Sequence, residues 1–252
     1  MSGHNKWSQI RRQKGVTDQK RGKLFTKAAA AITIAAKDGQ NPETNFKLRL
    51  AIEEAKNINM PKENIERAMI RGSGKLGQGH YEEITYEGFG PAGVGIIIDC
   101  LTDNRQRTSQ EIRSILERYG GNLAVPASVS WMFSKSVVLT IEAGERTEST
   151  ITDAAIAAGA ADLEKLNSEY LIYTALEDME VVKKKLLEEG LPVKSSLSIK
   201  KPKTSIQITD PKTADSILKI VESIENIKDV QKVYSNFDIP EEILLRNAEI
   251  KN

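Results

Sequence analysis

The order of elements in the sequence predicts a multi-domain chain of α and α+β class. An N-terminal helical domain is followed by two ferredoxin-like α+β domains, one inserted in the other. Three observations predict it. The first 75 residues show helical periodicity alone, whereas the rest alternates short β-rich runs with helices. That alternation can be parsed twice as β-α-β-β-α-β. A chain of 252 residues also exceeds the usual size of one hydrophobic core. The expected domains are 1–75, basic and helical; 80–134 plus 202–238, split and ferredoxin-like; and 135–201, inserted and ferredoxin-like.

Residues 17–38 read as the first helix, because Leu24, Phe25, Ala28, Ile32 and Ala35 recur at helical spacing and Gly39 ends it. Asn41-Pro42 then caps and starts a second helix with Leu48, Ala51, Ile52, Ala55 and Ile58 on one face. Pro61 opens a third, with Ile65, Ala68 and Met69 inward. Residues 72–79 hold four glycines in eight positions and read as a linker. Strands are expected over 81–87 and 94–102 around a Gly/Pro turn. A helix over 104–119 is capped by Asp103 or Asn104 and stopped by Gly120-Gly121. Strands over 128–133 and 136–142 follow, then a helix over 148–158 and strands over 162–167 and 170–175. A helix over 178–189 ends at Gly190, before a strand over 193–200. After Pro202 come a strand over 204–209, a helix over 211–226 and a strand over 229–235. The contiguous ferredoxin-like unit runs from strand 136–142 to strand 193–200. The split unit takes strand 94–102, helix 104–119 and strand 128–133, and resumes with strand 204–209, helix 211–226 and strand 229–235.

Composition narrows the function classes. The apolar fraction of 39% and charged fraction of 28% are ordinary for a soluble protein. No apolar run approaches the ~18 residues that span a bilayer, and Met1 to Trp7 lacks the core of a signal peptide. The single cysteine, Cys100, cannot form an internal disulfide, so a cytoplasmic protein without membrane contact is expected. Catalysis has little to work with. His4 and His80 are the only histidines, no paired cysteines have metal-ligand spacing, and Cys100 ends an apolar strand. Neither catalytic residues nor metal ligands nor a cofactor are expected. Gly88-Phe89-Gly90-Pro91-Ala92-Gly93 fits G-x-G-x-x-G, but a strand follows it where a dinucleotide loop needs a helix N-terminus. Two readings of this loop stand: a hairpin turn, or an exposed turn whose bare backbone approaches a partner.

Charge is distributed unevenly. Residues 1–75 carry 16 Lys and Arg against 7 Asp and Glu, hence +9; residues 76–252 carry 20 against 28, hence −8. The near-neutral total conceals one polyanion-binding end. Lys6, Arg11, Arg12, Lys14, Lys20, Arg21, Lys23 and Lys27 fall within 27 residues against one acid, Asp18. On a helix, Lys20, Lys23 and Lys27 project within about 60° of one another. Trp7 can stack on a base or pack back onto the helices. Such a density of positive charge neutralises phosphates and gains affinity from counterion release, without specifying sequence. A second contact surface is expected from Gly88, Phe89, Gly90, Pro91 and Gly93 together with Arg105 and Arg107. The two arginines can hold phosphate oxygens; ordinary capping with surface arginines is the alternative.

The chain resembles the YebC family. The resemblance rests on Gly3-His4-Asn5-Lys6-Trp7, Lys20-Arg21-Gly22-Lys23-Leu24-Phe25-Thr26-Lys27, Asn59-Met60-Pro61-Lys62-Glu63-Asn64-Ile65-Glu66-Arg67-Ala68 and Tyr86 to Gly93. Leu101 to Thr108, Gly120-Gly121-Asn122-Leu123 and Ser128-Val129-Ser130-Trp131-Met132-Phe133 extend it. Asn5 stands where many relatives have Ser, and Ala92 where many have Gly. The resemblance implies a helical domain followed by two α+β domains, and no catalytic residues. It leaves two functions open: DNA-binding transcriptional regulation, and an RNA- or ribosome-binding role in translation that relieves stalled or inefficient synthesis. The expected partner is therefore DNA or ribosomal RNA, with the ribosome as one setting and a monomer as the expected state. An acidic protein-interaction scaffold built on the C-terminal part is a third reading.

Overall fold

The computed structural model describes residues 18–72, 81–142, 144–166 and 168–244, with backbone alone at 18–21. The chain forms two compact units. One comprises the segments before Ser134 and after Lys201; the other is Ser134–Lys201. The expected linker, apart from Gly72, lies outside the described residues.

The first unit begins with helix α1 (Asp18–Ala35), which tightens into a 3-10 turn over Ala36–Asp38 and stops at Gly39, φ +145°. Helix α2 (Phe46–Asn57) is capped by Asn45 rather than by the expected Asn41. The Asn45 side chain accepts from Leu48 N–H at 3.0 Å and donates to Ala35 O and Gly39 O, each at 2.7 Å. One amide thus closes the end of one helix and the start of the next. Asn41 instead builds the turn between them, where its carbonyl accepts from Thr44 and Asn45 and its side chain from Glu43. Helix α3 (Lys62–Gly72) follows Pro61. Ile32, Leu48, Ala55, Ile65 and Ala68 form the core, in which small residues let the helices approach closely. At Gly72 a Cβ would lie 2.3 Å from Thr33 O, so α3 ends against α1 where a side chain does not fit.

The same unit contains an α+β body. Its sheet has the order β3-β1-β2-β9, from β1 (Glu82–Phe89), β2 (Gly95–Thr102), β3 (Asn122–Leu123) and β9 (Val230–Ser235). Strand β1 runs antiparallel to β2 and β3, and β2 antiparallel to β9. Helices α4 (Arg105–Arg118) and α7 (Pro211–Glu225) share one core with Ile96, Ile98, Cys100 and Val233. The spatial plan is ferredoxin-like, but two strands differ from expectation. The position assigned to 204–209 is occupied by β1. Residues 206–207 form the short strand β8, which pairs in parallel with β10 (Phe237–Asp238) outside the four-stranded sheet. The position assigned to 128–133 is occupied by β3, while Ser130–Met132 forms a 3-10 turn. The apolar residues of 128–133 are anchors: Val129 and Phe133 are buried against Ile97.

The second unit is a ferredoxin-like body in sequence order. It comprises β4 (Phe133–Glu142), α5 (Glu148–Ala158), β5 (Asp162–Leu166), β6 (Glu169–Thr174), α6 (Met179–Glu188) and β7 (Val193–Pro202), with sheet order β5-β6-β4-β7. These bounds fall within a few residues of those expected. Thr147 caps α5, and Gly159 and Gly190 follow the two helices at positive φ. Val137, Leu139, Ile141, Ile151, Ile172 and Leu186 are fully buried, each stabilising the body by about 1.5–3 kcal/mol relative to exposure.

Candidate nucleic-acid interface

The expected interface begins with residues that are not described: Lys6, Trp7, Arg11, Arg12 and Lys14, and the side chains of Lys20 and Arg21 on α1. Lys23 is exposed on α1. Lys27 does not project with it. Its Nζ donates to the carbonyl of Glu225 at 2.7 Å, at the C-terminal end of α7, where the helix dipole favours a cation. Lys37 Nζ donates to Tyr81 O at 3.1 Å, and Lys232 pairs with Glu54 at 2.7 Å. These contacts hold the helical domain on the α+β body. Two further basic residues of the helical domain, Arg67 and Arg71, are exposed on α3.

The expected second surface does not form one patch. Glu82 pairs with Thr102 in the β1–β2 register and Phe89 with Gly95, so the glycine loop and the start of α4 lie at opposite ends of the hairpin. The loop sits instead beside Gly120-Gly121 at the end of α4; a Cβ on Gly121 would approach Phe89 O to 2.5 Å. Gly88 and Gly90 are buried, and Phe89 packs against the cluster of Ile97, Val129 and Phe133, so its ring does not stand free for stacking. Pro91–Gly93 is a 3-10 turn with Ala92 at φ +59° and Gly93 at φ +76°.

Arg105 and Arg107 are engaged by carboxylates. Arg105 makes a two-pronged pair with Glu82 at 2.5 Å from both Nε and Nη2. Arg107 pairs with Asp103 at 2.8 Å and with Asp229. These pairs raise both guanidinium pKa values. Asn104 caps α4 by accepting from Arg107 N–H at 3.0 Å. The Thr102–Thr108 stretch therefore serves chiefly to lock the helix start.

Two buried carboxylates carry no signal in the sequence. Asp229, 4% exposed, accepts from Thr108 Oγ1 at 2.8 Å, from Thr102 Oγ1 at 3.1 Å and from Arg107. Burial pushes its pKa up, the three donors pull it down, and the donors prevail. Glu87, 7% exposed, accepts the backbone N–H groups of Val129 at 2.5 Å and of Ser130 and Ala127, each at 3.0 Å. Burial opposes ionisation here too, and the N–H donors again hold the carboxyl below its ordinary range. Asp229 sits in no motif, and Glu87 lies within the Tyr86-to-Gly93 block, whose composition does not mark it as a buried acceptor. Burial pushes the Cys100 thiol up to about 12, which leaves it an inert apolar filler. Among the described residues no cluster of His, Cys, Asp and Glu could hold a metal ion, and no helix is long and apolar enough to cross a membrane.

These features define a class: a basic helical module fixed to an α+β body that carries a second α+β body as an insertion, with its described carboxylate clusters tied into the fold. Residues 5–75 match the family model described as the TACO1/YebC protein N-terminal domain, and residues 81–237 that described as the TACO1/YebC second and third domain. The chain belongs to this family. A relative from Chloroflexus aurantiacus, named a probable transcriptional regulatory protein, is 47% identical over 98% of this chain and 99% of its own. One of the same name from Persephonella marina is 44% identical over 97% and 98%. The crystal structure of a conserved hypothetical protein from Aquifex aeolicus superposes with a TM-score of 0.81 at 41% identity, covering 90% of this chain and 94% of the other. The chain is thus a YebC-type regulator by family.

Proposed function

We propose that the protein is a non-enzymatic, nucleic-acid-binding regulator of gene expression, and that its helical domain supplies the phosphate contacts. The observation that carries this is the charge of +9 over residues 1–75 on a chain otherwise at −8. The names of the relatives favour DNA and transcription. One feature favours the RNA or ribosome reading. A helix that reads bases in the major groove needs free Arg, Asn or Gln side chains at its start. At the start of α4, Arg105 and Arg107 are bound to carboxylates, and just before α2 Asn45 is bound to the backbone, so neither of these two helix starts offers such side chains. Contact with a sugar-phosphate backbone needs no such helix. The test is sedimentation of the full chain from a lysate with DNase or RNase added. Co-sedimentation with the nucleoid, lost with DNase, supports the transcriptional reading. Co-sedimentation with ribosomes, lost with RNase, supports the translational one. Sedimentation with neither removes both. The variant with Lys20→Glu and Lys23→Glu is expected to lose binding and to flatten its salt dependence by close to one unit of slope for each phosphate no longer neutralised. Lys27 is left intact because it anchors the domain.

A further inference from the structure

The segment between β3 and β4 holds a large apolar ring in solvent by construction. Glu87 gathers three backbone donors of this segment, Ala127 sits at φ +69°, and Val129 and Phe133 are buried on either side. Trp131 projects from the resulting turn at 65% exposure, with Val125 of the same segment 73% exposed. Its indole Nε1–H donates to Ser128 O at 2.9 Å, so the polar edge of the ring is satisfied internally and fixes the ring. What remains available is the apolar face. The next chain segment contributes a cation: Lys203 N–H donates to Met132 O at 2.8 Å, and its exposed side chain pairs with no carboxylate among the described residues. The turn packs through Val129 and Phe133 on Ile97 and Tyr234, on the sheet face opposite the core shared with α4 and α7. Lys232, two residues before Tyr234 on β9 and so on the same face, is the residue that pairs with Glu54 of the helical domain. The exposed ring and the basic domain therefore share one side of the sheet.

We propose that Trp131 is a stacking platform for an unpaired nucleobase of a single-stranded nucleic acid, with Lys203 placed for the adjoining phosphate. The inference rests on the nucleic-acid reading above. A lone ring with one valine is too small to anchor a protein partner, whose stable interfaces bury about 800 Å² per side. One aromatic face beside one cation suffices for a base and its phosphate, and every base has a face to stack. The sequence contains two tryptophans, Trp7 and Trp131, so the quenching that Trp131→Phe removes is that of Trp131. The full chain with both indoles intact is titrated with single-stranded oligouridylate and with an RNA duplex of equal length. Quenching of the indole by the single strand, stronger than by the duplex, is expected. Trp131→Ala should weaken single-strand affinity about 5- to 160-fold with the melting temperature unchanged, and Trp131→Phe should restore most of it. Lys203→Ala should lower the salt slope by about one unit. Unchanged single-strand affinity in Trp131→Ala, in a protein that loses binding through Lys20→Glu and Lys23→Glu, overturns the platform and leaves the nucleic-acid reading standing. Equal losses for strand and duplex also overturn it. Absence of binding to either probe by the unmutated chain overturns the platform, and absence of binding to a DNA duplex as well overturns the nucleic-acid reading.

Discussion

In the inserted body the four strands enter the sheet in the order in which a β-α-β-β-α-β chain supplies them. In the split body the strand in the third place, β1, is made before the strand in the first place, β2, and the strand in the second place, β3, is two residues long. The two bodies nevertheless share the pattern of two helices on one face of a four-stranded antiparallel sheet. They differ in how they are tied. Both buried carboxylates among the described residues belong to the split body. The inserted body relies on solvent-facing pairs such as Lys194 with Glu142 and Glu169. A body assembled out of sequence order, with one strand nearly absent, is fastened by buried charge; one assembled in order is not.

Removal of the Glu87 carboxylate tests that difference most severely. Glu87→Ala leaves three backbone donors unpaired and is expected to cost about 3–5 kcal/mol. Urea unfolding followed by tryptophan emission checks it, since both tryptophans lie outside Ser134–Lys201. Asp229→Ala should cost somewhat less, about 3 kcal/mol, because Arg107 retains Asp103. Both carboxyl pKa values are lowered by folding. Their contribution is therefore complete above the unfolded carboxyl range near pH 4 and is lost as pH falls through the lower folded values. Acid titration should accordingly open the split body at a higher pH than the inserted one, read by tryptophan emission against amide exchange within Ser134–Lys201. An inserted body that opens first breaks the comparison.

Gly88→Ala is smaller and sterically specific. Its Cβ would meet Leu116 Cδ1 at 2.8 Å and Asn122 O at 3.0 Å, where β1 pairs with the two-residue β3. A loss of about 1–3 kcal/mol is expected in thermal unfolding. Thr147→Ala removes the cap of α5 and should cost about 1 kcal/mol, confined to the inserted body by amide exchange.

The legible parts of the molecule were those set by local chemistry. Helix α5 begins and ends where Thr147, Ala158 and Gly159 put it, and Asn104 and Gly120 bracket α4. What was not legible depended on partners distant in the chain. Val129 and Phe133 carry the apolar signal of a strand, but Glu87 draws the intervening N–H groups into a turn. Ile206 and Gln207 pair with residues that lie beyond β9, which element order does not indicate. The interface divides similarly. The charge excess of the N-terminal segment is plain in composition. That Lys27 reaches Glu225, and that Arg105 meets Glu82 at the far end of the hairpin from the glycine loop, follows from tertiary geometry alone.

The hydrogen bond from Lys203 to Met132 has a mechanical consequence. It joins the chain just before the inserted body to the chain just after it, so tension applied to the two ends of the protein is shunted across the bridge and past the insertion. Under a slowly rising load the surrounding body should yield first and the inserted body second, as two separate extensions in a single-molecule pulling trace. The inserted body is shielded by its point of attachment.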